Sequence, residues 1–188
     1  MHRSIHAGLA AVILFAAPAI AQEISVEMAP ATTQINWTVN SALHLVHGTF
    51  KLKSGQLKFD PATGAASGKI VVDVPSGESE SGARDKRMHK EVLESAKFPE
   101  ATFTPDKVIG TLSASGPSKM EFHGSFRVHG ADHEMTLPTV VERKGNELVA
   151  AIDFKIPYVQ WGMKDPSVVF LKVDKVMDMH VKTTVRVP

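Results

Sequence analysis

Histidines and carboxylates give this chain its widest chemical range, because imidazole titrates near neutral pH and both groups ligate metals. Beyond the first 21 residues the histidines are His44, His47, His89, His123, His129, His133 and His180. None stands at a spacing that would assemble a site from local structure. His133-Glu134 opens like the zincin pattern His-Glu-x-x-His, but Leu137 occupies the place of the second ligand. His44 and His47 are three apart and fall on opposite faces of a continuous strand. His123 and His129 share with Glu121 and Arg127 the polar face of an alternating segment. Zinc could be held there only across neighbouring strands; solvated outer histidines are the commoner arrangement. Asp85, Glu91 and Glu94 lie among Arg84, Lys86, Arg87 and Lys90, the pattern of a solvated helix with surface ion pairs.

Nucleophile and phosphate motifs are absent: there is no Gly-x-Ser-x-Gly, Ser-x-x-Lys, P-loop or Gly-x-Gly-x-x-Gly. Cysteine is absent too, which removes disulfides, thiolate chemistry and a lipidated cysteine together. The sequence therefore predicts no catalytic residue, no metal and no cofactor. A net charge of +1 over 188 residues lacks the electrostatic footprint of a nucleic-acid binder. With 43% apolar and 22% charged residues, the chain can fold as one domain around a core.

The elements that would position any site are strands. Apolar residues recur with period two at Ile35, Trp37 and Val39, at Met120, Phe122, Phe126 and Val128, and at Leu148, Ala150, Ile152, Phe154 and Ile156. A C-terminal run puts Met177, Met179, Val181, Val185 and Val187 on one face. Shorter strands are expected near 43–53, 55–60, 67–75, 101–112, 133–143 and 168–174. Ser54-Gly55 fits a tight hairpin and Asp60-Pro61-Ala62-Thr63-Gly64 a turn. Strands at this spacing predict an all-β fold, one antiparallel sheet closed into a sandwich or barrel, and about eight strands could close around a space as lipocalins do. One α-helix is expected near 81–97, from the stripe Met88, Val92 and Ala96, with Ser81 as N-cap and Pro99 as the stop. The inward faces could fill a compact core or surround a cavity for one small ligand. Met120, Met135, Met177 and Met179 would suit apolar guests of variable shape.

Residues 1–21 read as a secretory signal. A weakly basic start (His2, Arg3, His6) precedes the apolar run Ala7 to Ile20, and Ala19-Ile20-Ala21 supplies the small residues before cleavage. The run is too short to span a bilayer as a helix, and no later stretch approaches that length. The expected product, residues 22–188, is one domain, periplasmic or secreted, with no transmembrane segment.

An ordered series of motifs then carries a resemblance. Val46-His47-Gly48-Thr49-Phe50 and Gly55-Gln56-Leu57-Lys58-Phe59-Asp60-Pro61 come first, followed by Gly68-Lys69-Ile70-Val71-Val72-Asp73-Val74. Next are the helix Arg84-Asp85-Lys86-Arg87-Met88-His89, the element Phe98-Pro99-Glu100-Ala101-Thr102-Phe103, and Gly124-Ser125-Phe126-Arg127-Val128-His129-Gly130 with Met135-Thr136-Leu137-Pro138. Together they resemble the YceI-like family across nearly all of 32–188. The resemblance implies an exported lipocalin-like barrel that sequesters or carries a long apolar lipid, of polyisoprenoid, isoprenoid quinone or fatty amide type. Pocket residues would then come from the inward stripes: Trp37, Val39, Phe50, Phe59, Phe103, Met120, Phe122, Phe126, Met135, Leu137, Ile152, Phe154, Met179 and Val181. Some of these must fill a closed end instead. A ligand head group, or the anchoring of the helix, would fall to His44, His47, Arg84, Asp85 and His89. Two other readings stand beside this one: a secreted His-dependent metal-binding or hydrolytic protein, and a solid barrel acting as a protein-interaction module.

The signal reading makes a direct prediction. N-terminal sequencing of the secreted form should begin at Gln22; retention of Met1 would remove the export reading.

Overall fold

The computed structural model describes residues 23–187, so the signal-like segment lies outside the described residues. The elements in chain order are β1 (Ile24–Met28), β2 (Thr33–Asn40), β3 (Leu45–Phe59), β4 (Ala66–Glu78), α1 (Gly82–Arg87), β5 (Glu100–Ile109), β6 (Pro117–Val128), β7 (Ala131–Lys144), β8 (Glu147–Ile156) and β9 (Met177–Arg186). Neighbours pair antiparallel in the order β2-β9-β8-β7-β6-β5-β4, and β3 pairs with both β2 and β4, which closes the sheet. β1 and β2 share one position in the ring. β2 pairs with Leu45–Phe50 of β3, and β1 continues the line along Gly55–Phe59. The wall is thus an eight-strand antiparallel barrel with one short helix, one of the two closed forms that alternation and turn spacing allow and the one that the family resemblance implies.

Several details differ from the sequence reading. Ser54-Gly55 is no hairpin: β3 continues through it, and the expected strands 43–53 and 55–60 are one. The chain bends there instead of reversing, with a register irregularity against β4 between Leu52 and Ser54. The stretch 168–174 holds only isolated bridges, Val168 to Leu171 and Ser41 to Val173. The helix is shorter than 81–97. α1 passes into a π-helical turn at Met88–Val92, and Glu94 then adopts φ 45°, which takes the chain out of helical conformation before Pro99. By contrast, Asp60 caps its turn as the Pro-Gly pattern suggests, accepting from the Ala62 N–H at 2.8 Å and the Thr63 hydroxyl at 2.9 Å.

Strand direction sorts the connections. The 41–44 turn, the 79–99 segment with α1, the 129–130 turn and the 157–176 loop all sit at one end of the barrel; the turns 60–65, 110–116 and 145–146 sit at the other. This far end is filled by Phe59, Val108, Met120, Val141, Leu148 and Val185, all buried. The rings of Phe59 and Phe122 meet edge to face there at 6.5 Å. Near the middle of the wall, Gly48 is required by close approach: a Cβ on it would lie 2.2 Å from the Trp37 ring.

This packing predicts a contrast. Met120→Ala, in the filled end, should cost about 2–5 kcal/mol of stability. Ile152→Ala, whose side chain borders unfilled interior, should cost clearly less. Urea denaturation at unchanged m-value measures both; equal losses would mean that the interior is filled throughout.

Candidate functional site

Between the filled end and α1 the barrel encloses a cavity of about 570 Å³. Its wall is made by alternate residues of the strands, because period two sends every second side chain inward. Ten of the fourteen residues assigned to the inward stripes border it: Trp37, Val39, Phe50, Phe103, Phe126, Leu137, Ile152, Phe154, Met179 and Val181. Phe59, Met120, Phe122 and Met135 do not. Phe59 and Met120 are buried in the filled end, and Phe122 and Met135 pack partly buried against the core. Alternation reports which face a residue occupies and says nothing about its height along the barrel axis.

The α1 end supplies the cavity's roof and its polar rim. Met88, Val92 and Leu93 from the helical segment, and Tyr158, Met163 and Leu171 from the 157–176 loop, close over the strands. The sequence reading named Met88 and Val92 as a helical stripe without assigning them to a pocket. Tyr158 is buried and donates its hydroxyl to the Asp174 carbonyl at 2.5 Å, which ties the loop down. Burial, reinforced by the charges of Asp165 and Asp174, pushes its pKa up to about 12.

Of the five rim residues proposed from sequence, His44 and Arg84 border the cavity; His47, Asp85 and His89 do not. His47 and Asp85 line a separate cleft on the outer side of the wall, with Asn36, Thr38, Thr49 and Glu78, and Trp37 is the partition between the two spaces. The Trp37 Nε1–H is buried and has no partner among the described residues. His89 is structural: its ring nitrogens engage the Gly77 carbonyl at 2.8 Å and the Ser95 hydroxyl at 3.0 Å. Arg84 and Asp85 form no direct ion pair. Ser79, 1% exposed, stands between them, receiving the Arg84 Nε–H at 2.7 Å on its hydroxyl and a second guanidinium N–H on its carbonyl, and donating its own hydroxyl to Asp85.

His129 also departs from the sequence reading, which placed it on the solvated face. It follows the last residue of β6 and forms the turn with Gly130, at φ 51° and 81°, so strand alternation no longer governs its direction. It borders the cavity with its side chain only 12% exposed, bonds Glu94 at 2.8 Å and packs on Phe98 at 4.4 Å between ring centres. His133 is likewise covered, stacked on Trp161 at 4.0 Å, with Nε2 buried and unpartnered among the described residues. Arg87, one of the charges expected on the helix surface, borders the cavity and makes such an ion pair with Glu91 at 3.6 Å, and Glu91 meets Lys164 of the roof loop at 2.7 Å. The Lys164 ammonium holds the Glu91 carboxyl below its ordinary range.

One trio on the outer wall has ligand-capable atoms close together: Asp106, His123 and Glu134. His123 bonds Asp106 at 2.7 Å and lies 3.6 Å from Glu134. The Asp106 hydrogen bond raises the His123 pKa, as the nearby carboxylate charges also do. This juxtaposition across β5, β6 and β7 reads as a histidine solvated between carboxylates, with Asp106 and Glu134 both exposed.

Comparison with known proteins agrees with the geometry. Residues 27–187 match the YceI-like domain. A UPF0312 protein of Vibrio cholerae serotype O1 is 31% identical over 137 residues, covering 71% of this chain and 68% of that protein. A UPF0312 protein of Pseudomonas putida is 27% identical over 143 residues, covering 74% and 72%. Among solved structures, Burkholderia cenocepacia BcnA superposes with a TM-score of 0.70 at 21% identity, over 84% of this chain and 98% of that one. A polyisoprenoid binding domain from Saccharophagus degradans superposes at 0.69 with 16% identity, over 87% and 98%.

The Ser79 bridge sets an expected mutational cost. Arg84→Ala leaves the buried Ser79 carbonyl short of a charged donor and should lower stability by about 1–3 kcal/mol. An unchanged denaturant midpoint would show that the guanidinium contributes nothing to the roof.

Proposed function

The chain belongs to the YceI-like family, and from that premise we propose that it is an exported, non-catalytic protein that carries or sequesters one long apolar lipid. The observation that carries the reading is the cavity: an interior of about 570 Å³ inside a closed barrel, walled almost wholly by aliphatic, aromatic and methionine side chains. Hiding apolar ligand surface there gains on the order of 25 cal/mol per Å². A lipid of isoprenoid, quinone or fatty amide type would therefore be retained by burial alone. Arg84, Arg87 and His44 line the α1 end, where a single polar head would meet donors. The relative from Saccharophagus degradans, a polyisoprenoid binding domain of similar fold, supports the lipid class.

The rim chemistry favours binding over turnover. Tyr158 is engaged with Asp174, Arg84 with Ser79, His129 with Glu94, and the Ser41 hydroxyl with the His44 carbonyl at 2.8 Å. A nucleophile needs an adjacent base oriented towards it, and these contacts direct each group to structural partners. Export is supported by the signal-like residues 1–21.

Solvent extraction of purified protein followed by mass spectrometry tests the reading, with Val181→Phe as the probe. Val181 borders the cavity, so the added ring should take up ligand volume. Co-purified lipid should fall while the melting temperature holds or rises slightly. A destabilised variant, together with no extractable lipid in the parent, would instead identify a filled barrel, since overpacking a dense core costs about 1–3 kcal/mol.

A further inference from the structure

The end of the barrel that carries the cavity roof also exposes large apolar side chains. Phe170 is 95% exposed, Val169 80% and Leu43 76%, and Leu45 and Val168 are also exposed. These residues come from two segments fastened together. Ser41 bridges Val173, the Ala42 N–H donates to the Lys172 carbonyl at 2.8 Å, and the Asp174 N–H donates to the Asn40 carbonyl at 2.9 Å. The tips therefore stand side by side on a hydrogen-bonded base.

The same two segments line the cavity. Ser41 and His44 border it from one, Leu171 and Val173 from the other, while Leu43 and Phe170 project outwards between them. The apolar surface thus continues from the cavity, through its rim, to the outside. Lys172 sits next to the tip, exposed and without an ion-pair partner among the described residues, on a stem able to reach sideways to an anionic headgroup. We propose that this tip docks the barrel on a lipid bilayer, rim first, so that the lipid crosses between membrane and cavity without exposure to water. The inference rests on the lipid-carrier reading above. Its occupant is a bilayer because the tip side chains stand clear of the surface, Phe170 at 95% exposed: a protein partner would need a matching hollow for Phe170, whereas acyl chains close around any wedge. Exposed apolar surface of this kind marks an interaction site, and loop-tip Phe, Val and Leu beside Lys suit an interfacial anchor.

The test is co-sedimentation of the processed protein with vesicles of phosphatidylcholine, alone and with phosphatidylglycerol. The variants are the double change Val169→Ser with Phe170→Ser, and Leu43→Ser. The parent should pellet with vesicles, more strongly with the anionic lipid, and the double variant should lose about tenfold or more in partitioning. Its melting temperature should be unchanged, because these side chains are not packed in the core. Equal partitioning of parent and double variant would overturn the proposal, as would a parent that stays in the supernatant with both vesicles. A dimer that the double variant abolishes, in a parent that ignores vesicles, would overturn it in favour of a second copy. Lipid content, measured on the same samples, separates the two readings. Extractable lipid without vesicle binding overturns the docking surface alone, and vesicle binding through Phe170 without extractable lipid supports the docking surface and overturns the carrier.

Discussion

The structure depends on the hydrogen-bonded seam between β3 and β4. This seam turns a curved sheet into a ring, and a ring has no edge strands to protect. It also carries backbone pairing from strand to strand around the wall, so the wall is held by its own ladder rather than by whatever occupies the interior. That is why the barrel tolerates empty volume near one end. β3 achieves this by its length of 15 residues, passing from β2 to β1 on one side while remaining beside β4 on the other. The irregular register near Leu52 and the absence of a Cβ at Gly48 are local adjustments to the bend, and the second lets Trp37 lie against the wall.

The roof is built on a different principle. The strands are held by repeated backbone pairing, whereas α1 has only six residues and is too short to be stable alone. Side chains secure it. Ser79 gathers Arg84 and Asp85 at the start of the helix, His89 reaches back to Gly77, and Glu94 is caught by His129 from the β6–β7 turn. The facing loop is fixed by the Tyr158 hydroxyl and joined to the helix by Lys164 and Glu91. The cavity's two boundaries therefore differ in kind: a continuous ladder around the side, and discrete polar contacts above.

What the sequence disclosed follows the same division. Period-two alternation makes eight of the nine strands legible, though it splits β3 into two pieces, and it gives the inward face of ten residues that border the cavity. It could not disclose depth, so Phe59 and Met120 looked no different from Phe103 or Met179. Ser54-Gly55 carries turn-forming residues, yet pairing to strands on both sides keeps β3 extended. β1 is only five residues and was hidden by its brevity. His129 escaped alternation because a positive φ lies just beyond the strand, and the rim escaped because helix and loop residues meet there through long-range contacts without a sequence period. The family resemblance singled out Arg84 and Asp85 but not the serine that joins them.

The plug of Phe59, Met120 and Phe122 makes the barrel a blind tube. On the carrier reading proposed above, a blind tube would have a single doorway, so a guest that goes in tail first would come out head first, with its head always at the same end. The distance from doorway to plug then acts as a depth gauge: a short tail leaves a gap above the plug, while a long one protrudes. On that reading, tail-length preference would be written in residues that no guest passes on its way in, and it could drift through substitutions in the core while the doorway stays the same.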